Sequence, residues 1–161
     1  MKKGLILGRF QPFHLGHLAL IKNVINDDLY PLICIGSSQK GRSKENLFTK
    51  DERKKMIKTV LKDLKCKYEI YEIPDINNYD IYVSHLKSLV PSFDVVYSGN
   101  PLVKRLFMEA GHNVIVPELI NREVWEGSSI RQAILEGGDW EKDVPQAVAD
   151  IISDINLEKL A

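Results

Sequence analysis

The chain has 161 residues, 22 Lys+Arg against 22 Asp+Glu, and 44% hydrophobic side chains, which fits one domain with a real core and excludes intrinsic disorder. A formal net charge of zero argues against a nucleic-acid-coating protein or a membrane-surface binder, since both carry a basic excess; it leaves room for a small anion held by a few converging cations. No apolar run approaches the roughly 18 residues of a membrane span, and Cys34 and Cys66 stand far apart in ordinary stretches, which predicts no disulfide and a reducing, cytoplasmic setting.

Short apolar runs alternate with helical periodicity along the chain. Leu5-Ile6-Leu7 ends in Gly8-Arg9, so the basic-then-apolar start reads as a first strand and not as an export signal. Leu18, Ile21 and Ile25 then recur at helical spacing. Leu32-Ile33-Cys34-Ile35 is a second strand, ending in Gly36. Thr49 to Glu52 has capping-box spacing, and Met56, Ile57, Val60, Leu61 and Leu64 follow on one helical face. Tyr68 to Ile73 reads as a third strand, Val83, Leu86 and Leu89 as a helix, and Val95-Val96-Tyr97 as a fourth strand. Asn100-Pro101 looks like an N-cap followed by proline at the first helical position, with Gly111 as the stop. Val114-Ile115-Val116 is a fifth strand. Ser128 or Ser129 opens a helix closed by Gly137-Gly138, and a last helix runs from Pro145 through Ile155.

Strands that are apolar throughout and separated by helices predict a parallel sheet covered on both faces. The expected fold is a single α/β domain over residues 1–161: a doubly wound, parallel, five-stranded sheet with C-terminal helices over about 128–161. Ligands in such folds lie beyond the carboxyl ends of the strands, at the point where the strand order reverses. The loops to read are therefore those after Leu7, Ile35, Ile73, Tyr97 and Val116. The long polar stretch Ser37 to Asn46, with Lys40, Arg42 and Lys44, is expected to be a mobile loop over the site.

The loop after the first strand carries the strongest chemistry. Between Gly8 and His17 lie Arg9, Phe10, Gln11, Pro12, Phe13, His14, Leu15 and Gly16. His14 and His17 are three apart, so on a first helical turn they share a face. Gly16 between them removes a side chain, the helix start adds free N–H groups, and Arg9 adds a fixed cation. The sum reads as a small anion site faced by two imidazoles. A histidine pair at this spacing also occurs as surface decoration. Metal ligation is a poor fit, because neither cysteine has ligand spacing and His85 and His112 fall in unrelated elements. The glycines do not form a dinucleotide fingerprint.

The segment Arg9 to His17 resembles the H-x-G-H signature of the nucleotidyltransferase α/β phosphodiesterase superfamily, and is most similar to that of the archaeal-type nicotinamide mononucleotide adenylyltransferases. The resemblance spans nearly the whole chain. Gly36-Ser37-Ser38-Gln39 resembles that family's loop after strand two. Glu45 to Thr49 with Glu52-Arg53 resembles N-P-F-T-x-x-E-R, with Leu47 where proline is usual. Ser98 to Val103 matches S-G-N-P-L-V, and Gly127 to Arg131 resembles G-[ST]-x-I-R.

The resemblance implies a Rossmann-like nucleotidyltransferase fold and transfer of the adenylyl group of ATP to the 5′-phosphate of nicotinamide mononucleotide. It implies catalytic roles for Arg9, His14, His17 and Arg131. ATP would be bound by Gly8, Arg9, Phe10, His14, Gly16, His17, Gly99, Asn100, Ser128 and Arg131. The acceptor would meet Ser37, Gln39, Arg42, Asp75, Tyr79 and Tyr82. Mg²⁺ would travel with the triphosphate, with no protein metal site. The implied partners are ATP and the mononucleotide, with no nucleic acid and no membrane, in a homo-oligomer, a hexamer by family habit. Tyr79 stands where the family keeps an asparagine and Tyr82 where it keeps a ring-stacking tryptophan, and Gly41-Arg42-Ser43 replaces a usual Ser-His-Thr. The two tyrosines read equally as helix-start packing, Arg131 as a solvated helix arginine, and Asn100 as a plain N-cap. A related adenylyl- or cytidylyltransferase with another phosphate acceptor, or a non-catalytic nucleotide-binding module, remain the alternatives.

Overall fold

The computed structural model describes residues 1–116 and 126–157. Five strands, β1 (Lys3–Gly8), β2 (Tyr30–Gly36), β3 (Glu69–Ile73), β4 (Val95–Tyr97) and β5 (Val114–Ile115), alternate with helices. The helices are α1 (Leu15–Asn26), α2 (Lys50–Leu64), α3 (Tyr82–Leu89), α4 (Pro101–Glu109), α5 (Gly127–Glu136) and α6 (Gln146–Ser153). The sheet order is β3-β2-β1-β4-β5 and every neighbouring pair is parallel. Strand order reverses between β1 and β4, which places the expected ligand crevice at the end of β1.

Register explains why the strands are apolar on both faces. Ile6 lies beside Ile33 and Tyr97, and Leu5 beside Leu32 and Val96. The Ile6–Ile33–Tyr97 layer packs with α1, α2, α5 and α6 through Ile21, Met56, Ile130 and Val148. The Leu5–Leu32–Val96 layer packs with α3 and α4 through Leu86 and Phe107. Alternate residues of each strand thus feed opposite cores, and both layers are fully buried. Each such side chain contributes on the order of 1.5–3 kcal/mol by leaving water.

The caps follow local chemistry. Thr49 accepts the Glu52 amide and Glu52 returns to the Thr49 amide, the reciprocal box expected from their spacing. The Asn100 side chain accepts the Leu102 amide at 2.9 Å, with Pro101 at the first helical position. Gly137 ends α5 in the left-handed region. Several boundaries differ from the sequence reading: β3 begins at Glu69 and not Tyr68, and β5 ends at Ile115 and not Val116. Helix α5 starts at Gly127, with Glu126 in the cap position and no side-chain cap bond, so neither Ser128 nor Ser129 opens it. Helix α6 ends at Ser153, leaving Ile155 beyond it. The loop expected to follow Val116 lies outside the described residues. Among the described residues, no helix is long and apolar enough to cross a membrane.

Candidate active site

A cavity of about 830 Å³ opens at the carboxyl ends of β1, β2 and β4. Gly8, Arg9, Phe10, His14, Gly16 and His17 form one wall. Ser37, Asp75, Tyr79 and Tyr82 form the second, and Gly99, Asn100, Ser128 and Arg131 the third. Of the sixteen different residues singled out from the sequence, fourteen therefore meet here. Gln39 and Arg42 are the two that do not.

The histidines cap α1 themselves. His14 is the N-cap residue, and its Nδ1 accepts the Gly16 amide at 3.0 Å. His17 Nδ1 accepts the His14 amide at 3.1 Å. The rings stack, with centroids 3.8 Å apart. With both Nδ1 atoms occupied as acceptors, each neutral ring carries its hydrogen on Nε2. Burial, then the Arg131 charge, lowers the His14 pKa to about 4. Burial, then His14, holds His17 well below the ordinary histidine range. At neutral pH the pair is thus two uncharged N–H donors. The anion site read from the sequence is thus faced by two uncharged imidazoles, and its fixed charges are those of Arg9 and Arg131.

Phe10 supports the pair from below. Its ring lies 4.3 Å from that of His17 and is fully buried, while its φ is +54°. Left-handed backbone at a bulky residue is strained; burial against His17 and Phe13 holds it there. The role of the Phe10 side chain is therefore that of a floor. At Gly8 a Cβ would sit 3.3 Å from His17 Nε2 and 3.2 Å from Phe10 Cε2, so glycine is what lets β1 end against the imidazole edge.

Arg131 reaches back over the start of its own helix. Its Nη1 donates to the Gln11 carbonyl at 2.9 Å, and a Cβ on Gly127 would lie 2.9 Å from that nitrogen. Glycine at 127 is what gives the guanidinium its place. Arg9 is exposed and donates to the Glu45 carbonyl at 2.7 Å and to Asn46 Oδ1 at 2.6 Å, so it is tied to the polar loop that follows β2. On the opposite wall, Ser37 Oγ donates to Asp75 Oδ1 at 3.0 Å, and Lys40 lies 3.6 Å from Asp75 Oδ2. Tyr82 is half-buried and meets Phe107 edge-on at 6.4 Å; burial pushes its phenol up. Tyr79 is 61% exposed, at the rim.

Gln39 is exposed and off the cavity lining; its Oε1 accepts the Asp75 amide at 3.1 Å. Arg42 is turned away: it pairs with Glu52 at 2.7 Å and donates to the Leu47 carbonyl at 3.1 Å. A carboxylate and a carbonyl within reach hold it more firmly than open solvent over a cavity does. Two side chains that sequence reading left out of the site organise it from beneath. Gln11 is 2% exposed and clamps both backbone groups of Phe48, at 2.9 and 2.8 Å. Arg53 is fully buried and donates to main-chain carbonyls of Arg9, Gly36, Ser37, Lys40 and Thr49. Each sits inside a quoted motif, which was the signal available. Among the described residues, no group of three or more His, Cys, Asp or Glu side chains is placed to hold a metal.

Strand order, a cavity at its reversal point, and imidazole, guanidinium and helix-start donors facing one space are the arrangement an α/β nucleotidyltransferase needs to hold a polyphosphate. Residues 5–133 match the cytidylyltransferase-like family. The chain belongs to that family, and within it to the nicotinamide-nucleotide adenylyltransferases. It is 46% identical over 156 residues to the nicotinamide-nucleotide adenylyltransferase of Methanolobus tindarius, covering 97% of this chain and 90% of that one. It is 45% identical over 160 residues to the same-named protein of Archaeoglobus fulgidus, covering 96% and 92%. Among solved structures, a bifunctional NMN adenylyltransferase/ADP ribose pyrophosphatase from Francisella tularensis, complexed with AMP and a manganese ion, superposes with a TM-score of 0.70 at 19% identity. The match covers 96% of this chain and about half (53%) of that one, a likeness of fold.

Proposed function

We propose that the protein transfers the adenylyl group of ATP to the 5′-phosphate of nicotinamide mononucleotide, giving NAD and pyrophosphate. The observation that carries this reading is the stacked pair His14 and His17, each left with only Nε2–H to offer to the cavity it lines.

The chemistry asks little of a general base. A phosphate monoester with a second pKa of about 6 is already largely dianionic at neutral pH. One of its oxygens attacks the α-phosphorus of ATP, a new P–O bond forms, and the bond to the β-phosphate bridging oxygen breaks, with the electron pair leaving on pyrophosphate. What the protein must do is align two polyanions and stabilise the charge that moves onto the leaving group. His14 and His17 supply neutral N–H donors for that charge, and Arg131 with the start of α5 at Ser128 supplies a cation and free amides. Arg9 holds the triphosphate from the end of β1. Gly99 and Asn100 take the adenosine, and Tyr82, Asp75 and Ser37 face the acceptor.

The donor set fits Mg²⁺ carried on the substrate: the cavity offers N–H groups and guanidiniums, which hold phosphate, and phosphate and water oxygens satisfy the ion. When bound, Mg²⁺ neutralises part of the triphosphate charge. A homo-oligomer, hexameric by family resemblance, is the expected assembly, and two free cysteines, Cys34 buried and Cys66 half-buried, suit a reducing cytoplasm.

The test is product formation by the purified chain with ATP, Mg²⁺ and a panel of acceptors: nicotinamide mononucleotide, its deamidated form, phosphopantetheine and flavin mononucleotide, with CTP as the alternative donor. NAD and pyrophosphate in equal amounts are expected. The second reading, another acceptor, draws on Tyr79 and Tyr82; good turnover with another acceptor and none with nicotinamide mononucleotide would establish it instead.

A further inference from the structure

Arg53 lies in the first turn of α2, where the sequence Lys50-Asp51-Glu52-Arg53-Lys54-Lys55 reads as a solvated helix surface. It is instead 0% exposed. Its guanidinium meets main-chain carbonyls alone: Nη1 donates to Arg9 at 3.0 Å and Gly36 at 2.9 Å. Nη2 donates to Ser37 at 3.1 Å and Lys40 at 3.0 Å, with Ser38 at 3.4 Å. Nε reaches Thr49 at 3.3 Å. Among the described residues it forms no ion pair with a carboxylate. Burying an unpaired cation costs several kcal/mol, and a fold that only needed a stable helix start would have no use for one. The planar fork offers five N–H groups in fixed directions, and here they converge three chain segments onto one group.

The segments are informative. Arg9 opens the loop that leads through the N-cap His14 into the first turn of α1 and His17. Gly36 and Ser37 open the loop that reaches Asp75, through the Ser37–Asp75 hydrogen bond. The two walls of the cavity therefore share one buried anchor. We infer that Arg53 is a positioning residue for the transfer, fixing the triphosphate wall at the end of β1 against the acceptor wall at the end of β2. This rests on the adenylyltransferase reading of the same site. A misplacement on the order of 1 Å between reacting groups costs about a hundredfold in rate, so the anchor acts on alignment more than on affinity.

The test pairs Arg53→Lys with Arg53→Ala in the full-length chain. Lysine keeps the charge and stem but cannot reach three segments at once. For Arg53→Lys the expected result is a kcat at least tenfold lower, with KM for ATP and acceptor within about threefold, and faster amide hydrogen exchange confined to residues 9–11 and 36–40. For Arg53→Ala, added guanidinium should restore kcat saturably, at least tenfold. A wild-type kcat in Arg53→Lys overturns the inference. So does a loss of kcat in either variant that only tracks a general loss of exchange protection, or a failure of guanidinium to restore Arg53→Ala. A wild-type protein that makes no NAD would instead overturn the functional reading, and the exchange pattern at 36–40 would still decide whether Arg53 ties the two loops.

Discussion

The Nδ1 of His17 accepts the backbone amide of His14 at 3.1 Å while the two rings stack at 3.8 Å. One contact thus caps a helix, fixes a tautomer and sets the spacing of two donors. A histidine used this way cannot accept a proton at Nδ1 without losing its cap bond. Structure and chemistry of the site are therefore coupled through the same atoms.

That coupling predicts an acid sensitivity. His14 falls from 6.5 to about 4 on folding, first through burial and then through Arg131. The unfolded chain therefore takes up this proton at higher pH than the folded one, so stability is full above about pH 6.5 and falls as pH drops towards 4. The full shift is worth about 3 kcal/mol. Urea unfolding at pH 7.5 and 4.5 should show a loss about 2–3 kcal/mol smaller in His14→Asn, which keeps an acceptor near the Nδ1 position. Equal losses in both proteins would contradict the buried neutral imidazole.

Gly127 offers a sharper dissection of Arg131. A Cβ there would sit 2.9 Å from Nη1, so Gly127→Ala displaces the guanidinium from the Gln11 carbonyl without touching the arginine itself. Alanine is also the better residue near a helix start by up to about 1 kcal/mol. That gain offsets part of the lost Arg131–Gln11 bond, so stability should stay within about 2 kcal/mol of the parent, while kcat/KM for ATP falls roughly ten- to a hundredfold, the worth of one misplaced charged hydrogen bond. Thermal unfolding and steady-state kinetics on the same sample check the split. Activity and stability that fall together would argue against it.

Much of this site was legible in the sequence, and the failures have physical causes. Gly8, His14, His17, Gly99, Asn100 and Arg131 sit at strand ends and helix starts, positions that hydrophobic periodicity locates well. The Thr49–Glu52 box was readable because its residues are common cap formers. His14 as an N-cap was not, because imidazole rarely takes that place and its role depends on Gly16 and His17 in three dimensions. The neutral charge state was hidden for the same reason, since burial is a tertiary property. Arg42 and Arg53 depart from what polarity suggests in opposite directions. A polar loop suggests an arginine over the cavity, and Arg42 pairs with Glu52 instead; a polar helix turn suggests a solvated arginine, and Arg53 lies buried beneath the site.

Tyr82 separates the two halves of the cavity. Tyr82→Ala removes a half-buried ring that packs on Phe107 and lines the wall proposed to face the acceptor. The KM for nicotinamide mononucleotide should rise about three- to tenfold, the usual worth of one aromatic contact, with the KM for ATP nearly unchanged. If only the ATP constant moved, the acceptor wall would be on the wrong side of the cavity.

The central claim is that His14 and His17 stabilise charge on departing pyrophosphate, and the turnover number of His17→Ala with ATP and nicotinamide mononucleotide tests it most directly. Loss of one such donor should lower kcat by about two to three orders of magnitude, with only a modest change in KM for either substrate. A kcat equal to that of the parent protein would contradict it.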